Sequence, residues 1–246
     1  MSLGLALSGG GVKGAAHIGA LKAFEEKNIK IDYIGGTSSG SIVATLYASG
    51  YKPDEIYQIL KKYCKKIKYI DIKNILKLFF GLITTGTIII DGLNSGKSIN
   101  KLINKMCNEK NIYNISDIKM PLVISSVNMC TGEVMCFTSS KMRTFSDNTV
   151  FVNDAKIGDA VQASCSFPTV FSPCDYNGEK LVDVAFRSFE LMSKELSKYE
   201  LDGSDYFIKI KSEKVSLLDM SKIDKFYEFG YNETKKFLEE NNIKLL

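Results

Sequence analysis

Apolar positions follow two rhythms along this chain: short β-branched runs that suit strands, and spacings of three and four that suit helices. Met1-Ser2-Leu3-Gly4-Leu5-Ala6-Leu7-Ser8 is apolar and runs straight into a glycine-rich turn, so it predicts a first strand. It lacks the basic start and cleavage site of a secretory leader. A helix is predicted over 15–27, with Ile18, Leu21 and Phe24 on one face and Asn28 as its C-cap. The run Ile29-Lys30-Ile31-Asp32-Tyr33-Ile34 predicts a second strand, and past Gly36-Thr37-Ser38-Ser39-Gly40 a helical pattern starts at Ile42.

Residues 52–80 read as helices. The uncharged, glycine-interrupted stretch 78–90 reads as core or as a mobile cover over an acyl chain. A helix over 99–106 leads to two strands, 121–128 and 133–138, around a Thr131-Gly132 turn. The helix expected over 154–165 must stop before Phe167-Pro168, because the residue preceding proline avoids helical angles. A strand over 179–182 delivers Asp183. A last strand over 206–211 precedes an amphipathic helix from Lys222, with Ile223, Phe226, Tyr227, Tyr231, Phe237 and Leu238 inward and Ser221 and Asp224 as its capping box. Strands alternating with helices over 246 residues predict an α/β fold in one domain, 1–246.

Composition narrows the function classes. Hydrophobic residues make up 45% and charged residues 24%, ordinary values for a chain with a sizeable core. The net charge of +4 is too small to point to nucleic acid, and only Arg143 and Arg187 could form a bidentate clamp. The cysteines Cys64, Cys107, Cys130, Cys136, Cys165 and Cys174 form no C-x-x-C pair, and metal ligation would want histidines that the chain lacks. They read as buried thiols in a reducing compartment. No apolar stretch approaches the roughly 20 residues of a membrane-spanning helix, so a soluble, cytoplasmic protein is expected, with no metal or cofactor. Lys61, Lys62, Lys65, Lys66 and Lys68, interleaved with Tyr63, Ile67, Tyr69 and Ile70, read as a solvated face or as a peripheral contact with anionic lipid.

The candidate chemistry sits at two turns. In Gly36-Thr37-Ser38-Ser39-Gly40, glycines on either side let strand and helix close together and push Ser38 into a sharp, exposed bend at a helix N-terminus. Such a serine is presented as a nucleophile, although serines and glycines also make ordinary N-caps. Gly9-Gly10-Gly11-Val12-Lys13-Gly14 aims backbone N–H groups at an arriving anion. It fits an oxyanion hole, and it also matches a dinucleotide fingerprint with Asp32 as the ribose acid. The Ser38 bend favours the oxyanion hole. A third turn, Gly92-Leu93-Asn94-Ser95-Gly96-Lys97-Ser98, imitates a P-loop but is one residue short between its glycines. His17, the single histidine, comes too early for a serine, acid, histidine order and reads as a packing or hydrogen-bonding residue. The base for Ser38 is therefore expected to be a carboxylate. Asp183, at the end of an apolar run, is the candidate, against the plainer reading of a turn aspartate.

Together, the glycine loop with Ala16-His17-Ile18-Gly19, the Ser38 turn, Ala163-Ser164-Cys165-Ser166-Phe167-Pro168 and Asp183 resemble the patatin-like phospholipase family, across most of the first 185 residues. The resemblance implies a three-layer α/β/α fold with a central, mostly parallel sheet. It also implies a Ser38-Asp183 dyad without histidine, an oxyanion loop at Gly9–Gly14, and hydrolysis of lipid acyl esters. The chain departs from the family pattern at Asp183-Val184-Ala185, where two small residues normally follow the acid. That departure suggests an alternative, a catalytically silent lipid-binding relative.

Overall fold

The computed structural model describes residues 2–64, 94–141, 148–168, 170–184, 205–208 and 219–241. Strand β1 (Gly4–Leu7) pairs parallel with β2 (Tyr33–Gly36), which pairs parallel with β3 (Leu122–Asn128). The hairpin partner β4 (Val134–Thr138) lies antiparallel on the other edge of β3, and β5 (Thr149–Val152) continues parallel beyond it. A second hairpin, β6 (Cys174–Tyr176) and β7 (Glu179–Val182), joins the sheet where β7 pairs antiparallel with the end of β3. The sheet is thus mixed, with parallel pairing where the two candidate turns emerge.

Helices α1 (Ala15–Glu26), α3 (Pro53–Cys64) and α6 (Ile223–Glu240) pack as one group, and α4 (Lys97–Asn108) packs on α5 (Ile157–Cys165) as another. Helix α2 (Ser39–Ala48) touches both groups and strands β1, β2 and β3, and the mixed sheet flanked by helices is consistent with the expected α/β/α fold. Ile18, Leu21, Ile34, Val43, Leu46, Ile124, Phe137, Ile157 and Val161 are all buried between the layers. The predicted apolar face of α1 is therefore the one that meets the core. Among the described residues, no helix is long and apolar enough to cross a membrane.

Several boundaries differ from expectation for local reasons. β2 starts at Tyr33 because Ile29 closes α1 instead: its N–H bonds Phe24 and that of Asn28 bonds Glu25, with Asn28 at φ 54°. Ile29 and Ile31 are buried in the core without joining the sheet. α2 begins three residues before Ile42, directly after Ser38. α5 begins at Ile157 because residues just before it run extended, with Ile115 bonding Ala155 and Ile157 bonding Tyr113. At α6, Asp219 accepts from the Ser221 N–H and hydroxyl, while Asp224 pairs with Lys61 at 2.9 Å, so the expected capping box is not the one used.

β5 and β6 were not predicted at all. Of the supposed last strand, Tyr206–Ile208 carries no sheet pairing, and the rest lies outside the described residues. So do Lys65, Lys66 and Lys68 and the stretch 78–90. Cys107, Cys165 and Cys174 are buried, but Cys130 is exposed, against the expectation of uniformly buried thiols.

Candidate active site

Ser38 is the N-cap of α2, with φ 53° and ψ −126°. A residue with a Cβ occupies that region only under constraint, at about 1–3 kcal/mol. The constraint is visible on both sides of the residue. A Cβ on Gly36 would lie 2.5 Å from the Gly40 carbonyl oxygen, and one on Gly40 would run into the Leu7 carbonyl, so only glycine at both positions lets β1, β2 and α2 approach this closely. Thr37 continues the sheet by bonding Leu7 through its N–H at 3.0 Å, and its hydroxyl meets that of Ser125 at 2.6 Å.

Side chains then hold the bend. The Ser38 N–H donates to the Ser164 hydroxyl oxygen at 2.9 Å, while its carbonyl accepts from the Ser41 hydroxyl at 2.6 Å and the Cys165 thiol at 3.2 Å. Burial, with the nearby charge of Asp183 adding to it, pushes the Cys165 thiol pKa well up, so the thiol stays protonated and able to donate.

The glycine loop folds against this bend. Gly11–Gly14 forms one turn of 3-10 helix, entered through Gly10 at φ 150° and Gly11 at φ 58°. Its first N–H groups have no partner within the turn, as at any helix start. A Cβ on Gly9 would lie 3.0 Å from Ser38 Cβ and 3.7 Å from Ser38 Oγ, and one on Gly14 would lie 2.7 Å from Ser39 Oγ. The loop is thus in contact range of the Ser38 hydroxyl. Lys13 bonds Gly10 through its N–H at 3.1 Å, and Val12 is buried.

Asp183 arrives from the opposite direction. β4 occupies one edge of β3, so β2 and β7 share the other. β2 runs with β3 and last pairs at Gly36 with Ile124; β7 runs against β3 and last pairs at Val182 with Val127. The two strands point at each other across Ser125 and Ser126 of β3, a gap of about 10 Å. Ser38 and Asp183 both follow into that gap. The Asp183 side chain is buried at 1% exposure, and its N–H bonds the Ser166 carbonyl at 3.1 Å. Consecutive residues at the end of α5 therefore brace both candidates: Ser164 and Cys165 hold Ser38, and Ser166 holds Asp183. The sequence marked residues 163–168 as part of the family resemblance without giving any of them a role.

Val184 is not among the non-glycine residues with positive φ, which among those described are Asn28, Ser38, Asn111 and Asn177. A branched residue after Asp183 therefore meets no glycine-only backbone.

Other predicted residues stand apart. Asp32 precedes β2, at the opposite end of the strand from the glycine loop and about 13 Å away by strand rise. Its carboxylate accepts from the Leu3 N–H at 3.0 Å and pairs with Lys30 at 3.0 Å. A dinucleotide-type site needs loop and acid at the same edge, so this arrangement does not build one. The imidazole of His17 meets the Ser8 carbonyl at 2.8 Å through Nε2, and since a carbonyl only accepts, Nε2 carries the proton. Burial pulls the His17 pKa below its ordinary value, against the opposing effect of that bond. The P-loop-like turn closes on itself, with the Gly96 N–H bonding Asn94 Oδ1 at 3.1 Å and Gln162 bonding the Ser95 carbonyl at 3.0 Å.

Known proteins share stretches of this sequence and its fold. The family model described as patatin-like phospholipase matches residues 5–190. The lysophospholipase NTE1 of Meyerozyma guilliermondii is 26% identical over 233 residues, covering 95% of this chain and 14% of that protein. The neuropathy target esterase sws of Drosophila persimilis is 36% identical over 114 residues, covering 46% of this chain and 7% of that protein. The chain thus spans a small part of the length of the curated relatives it matches. Among solved structures, VipD from Legionella pneumophila superposes with a TM-score of 0.57 at 12% identity, covering 97% of this chain and 67% of that one. ExoU in its complex with SpcU from Pseudomonas aeruginosa gives 0.56 at 21% identity, covering 97% and 51%.

Proposed function

The chain belongs to the patatin-like phospholipase family, and on that premise we propose that it hydrolyses fatty-acyl esters of lipids through Ser38 and Asp183. Residues 1–246 act as one patatin-like domain that meets its lipid substrate by peripheral contact from the cytoplasm. Asp183 accepts the Ser38 proton as the serine oxygen attacks the ester carbonyl. The N–H groups of Gly10 and Gly11 hold the resulting oxyanion. Collapse expels the alcohol, which takes the proton from Asp183, and leaves an acyl-serine. Water, deprotonated by the same carboxylate, then frees the fatty acid and restores the serine.

What supports this reading is a serine in a strained bend, a glycine loop packed against it, and a buried acid that follows the strand directed toward it. A carboxylate is a weak base near neutral pH, so most of the barrier lowering falls to the amides. One oxyanion donor is worth on the order of 100- to 1000-fold in rate.

The test is hydrolysis of a short-chain p-nitrophenyl ester and of a lysophospholipid by the unmodified chain, Ser38→Ala and Asp183→Asn. Ser38→Ala is expected to lose on the order of 10,000-fold or more and Asp183→Asn about 100- to 10,000-fold. Full activity in either variant rules out the dyad.

A further inference from the structure

Helix α6 lies beyond the matched residues 5–190, yet it is the main packing partner of α1, the helix that leaves the glycine loop. The two backbones touch. A Cβ on Gly19 would run into the Tyr227 carbonyl and come within 2.6 Å of the Tyr231 nitrogen, and one on Gly230 would run into the Ala16 carbonyl. Glycine at both crossing points is what allows the approach.

At the start of α6, Ile223 and Phe226 form a small apolar cluster with Val12, Ala15 and Ala16, separate from the main core. Val12 is 3% exposed and Phe226 is fully buried. Val12 belongs to the single turn entered through Gly10 and Gly11, and its side chain is what ties that turn to α6. Close-packed interiors transmit small displacements instead of absorbing them.

We propose that Phe226 is a positioning residue for the hydrolysis: through Val12 it fixes where the Gly10 and Gly11 amides stand relative to Ser38. The inference rests on the lipid-hydrolase reading above. α6 then has a role apart from closing the fold, because its first turns set the oxyanion geometry while its far end only packs. Leu238, at that far end, is buried in the main core and does not belong to the Val12 cluster.

The experiment compares Phe226→Ala with Leu238→Ala, measuring kcat and KM on a soluble p-nitrophenyl ester, the rate of fluorophosphonate labelling, and the denaturant midpoint of each. Misplacing a reacting group by about 1 Å costs on the order of 100-fold. Phe226→Ala is therefore expected to lower kcat and the labelling rate by about 10- to 100-fold with KM within about twofold. Leu238→Ala, at a comparable loss of stability, keeps kcat within about twofold. Equal kcat losses in both variants, or a folded Phe226→Ala with kcat within about twofold of the unmodified chain, overturn the proposal. Where Phe226→Ala does not fold, Phe226→Leu decides: a fall of about 3- to 10-fold in kcat at constant KM supports the proposal, and a smaller change overturns it. If the unmodified chain neither hydrolyses the ester nor labels, the hydrolase reading fails and this inference with it; if it labels and both variants keep pace, only the inference fails.

Discussion

Among the described residues, α2 and α4 both start from caps with positive φ, and they differ in which residue carries the unusual backbone. α4 starts from Gly96 at φ 68°, in a turn whose bonds are made among Asn94, Gly96, Ser95 and Gln162. Glycine takes that conformation at no steric cost, so nothing is stored there. α2 starts from Ser38 at φ 53°, a side-chain-bearing residue held by Ser164, Ser41 and Cys165 from two helices. Both turns imitate catalytic motifs in sequence. The strained serine, and not the glycine pattern, marks the candidate site.

The sharpest test of that contrast replaces each cap. Ser38→Gly removes the hydroxyl and should lose on the order of 10,000-fold or more in hydrolysis, yet denaturant titration should find it about 1–2 kcal/mol more stable than Ser38→Ala, because the strain leaves with the Cβ. Gly96→Ala should show the reverse: about 1 kcal/mol less stable, with its Cβ 3.3 Å from Gln162, and hydrolysis within about twofold. Equal stability of Ser38→Gly and Ser38→Ala would mean the bend is unstrained and the contrast empty.

Ser164→Ala probes the brace. It leaves the Ser38 N–H without its acceptor, which should cost about 1–3 kcal/mol in the denaturant midpoint and on the order of 10- to 100-fold in kcat. Unchanged kcat would show that the bend holds itself.

The smallest effect concerns His17, whose contact with the Ser8 carbonyl lies at the entrance of the glycine loop. Because burial lowers its folded pKa, the unfolded chain takes up a proton at higher pH than the folded one. The stability His17 contributes is therefore full above its ordinary value of 6.5 and falls as pH drops below that value towards the folded pKa. His17→Gln keeps a donor for Ser8 without titrating, so its Tm should fall less than that of the unmodified chain between pH 7.5 and 5.5. Parallel Tm curves would contradict this.

What could be read from the chain alone follows the range of the interactions. Gly36 and Gly40 were legible because they flank Ser38 within five residues, although the carbonyl that demands glycine at position 40 belongs to Leu7 on another strand. The β6–β7 hairpin also had a signal, Asn177-Gly178 with φ 51° and 85°, that short flanking strands concealed. Ile29 and Ile31 misled because alternating apolar residues can enter the core without joining a ladder. The braces from Ser164 to Ser38 and from Phe226 to Val12 join residues more than a hundred positions apart, and no local pattern announces them. Gly230 and Thr234, buried on α6, were missed for the same reason: helical periodicity marks large apolar residues, not the small ones where backbones meet.

The most direct measurement is intact mass after fluorophosphonate treatment, with the adduct mapped by peptide sequencing. The account predicts one adduct per chain, on the peptide containing Ser38 and absent from Ser38→Ala. An adduct on another serine, or none in a chain that still hydrolyses the ester, would contradict it.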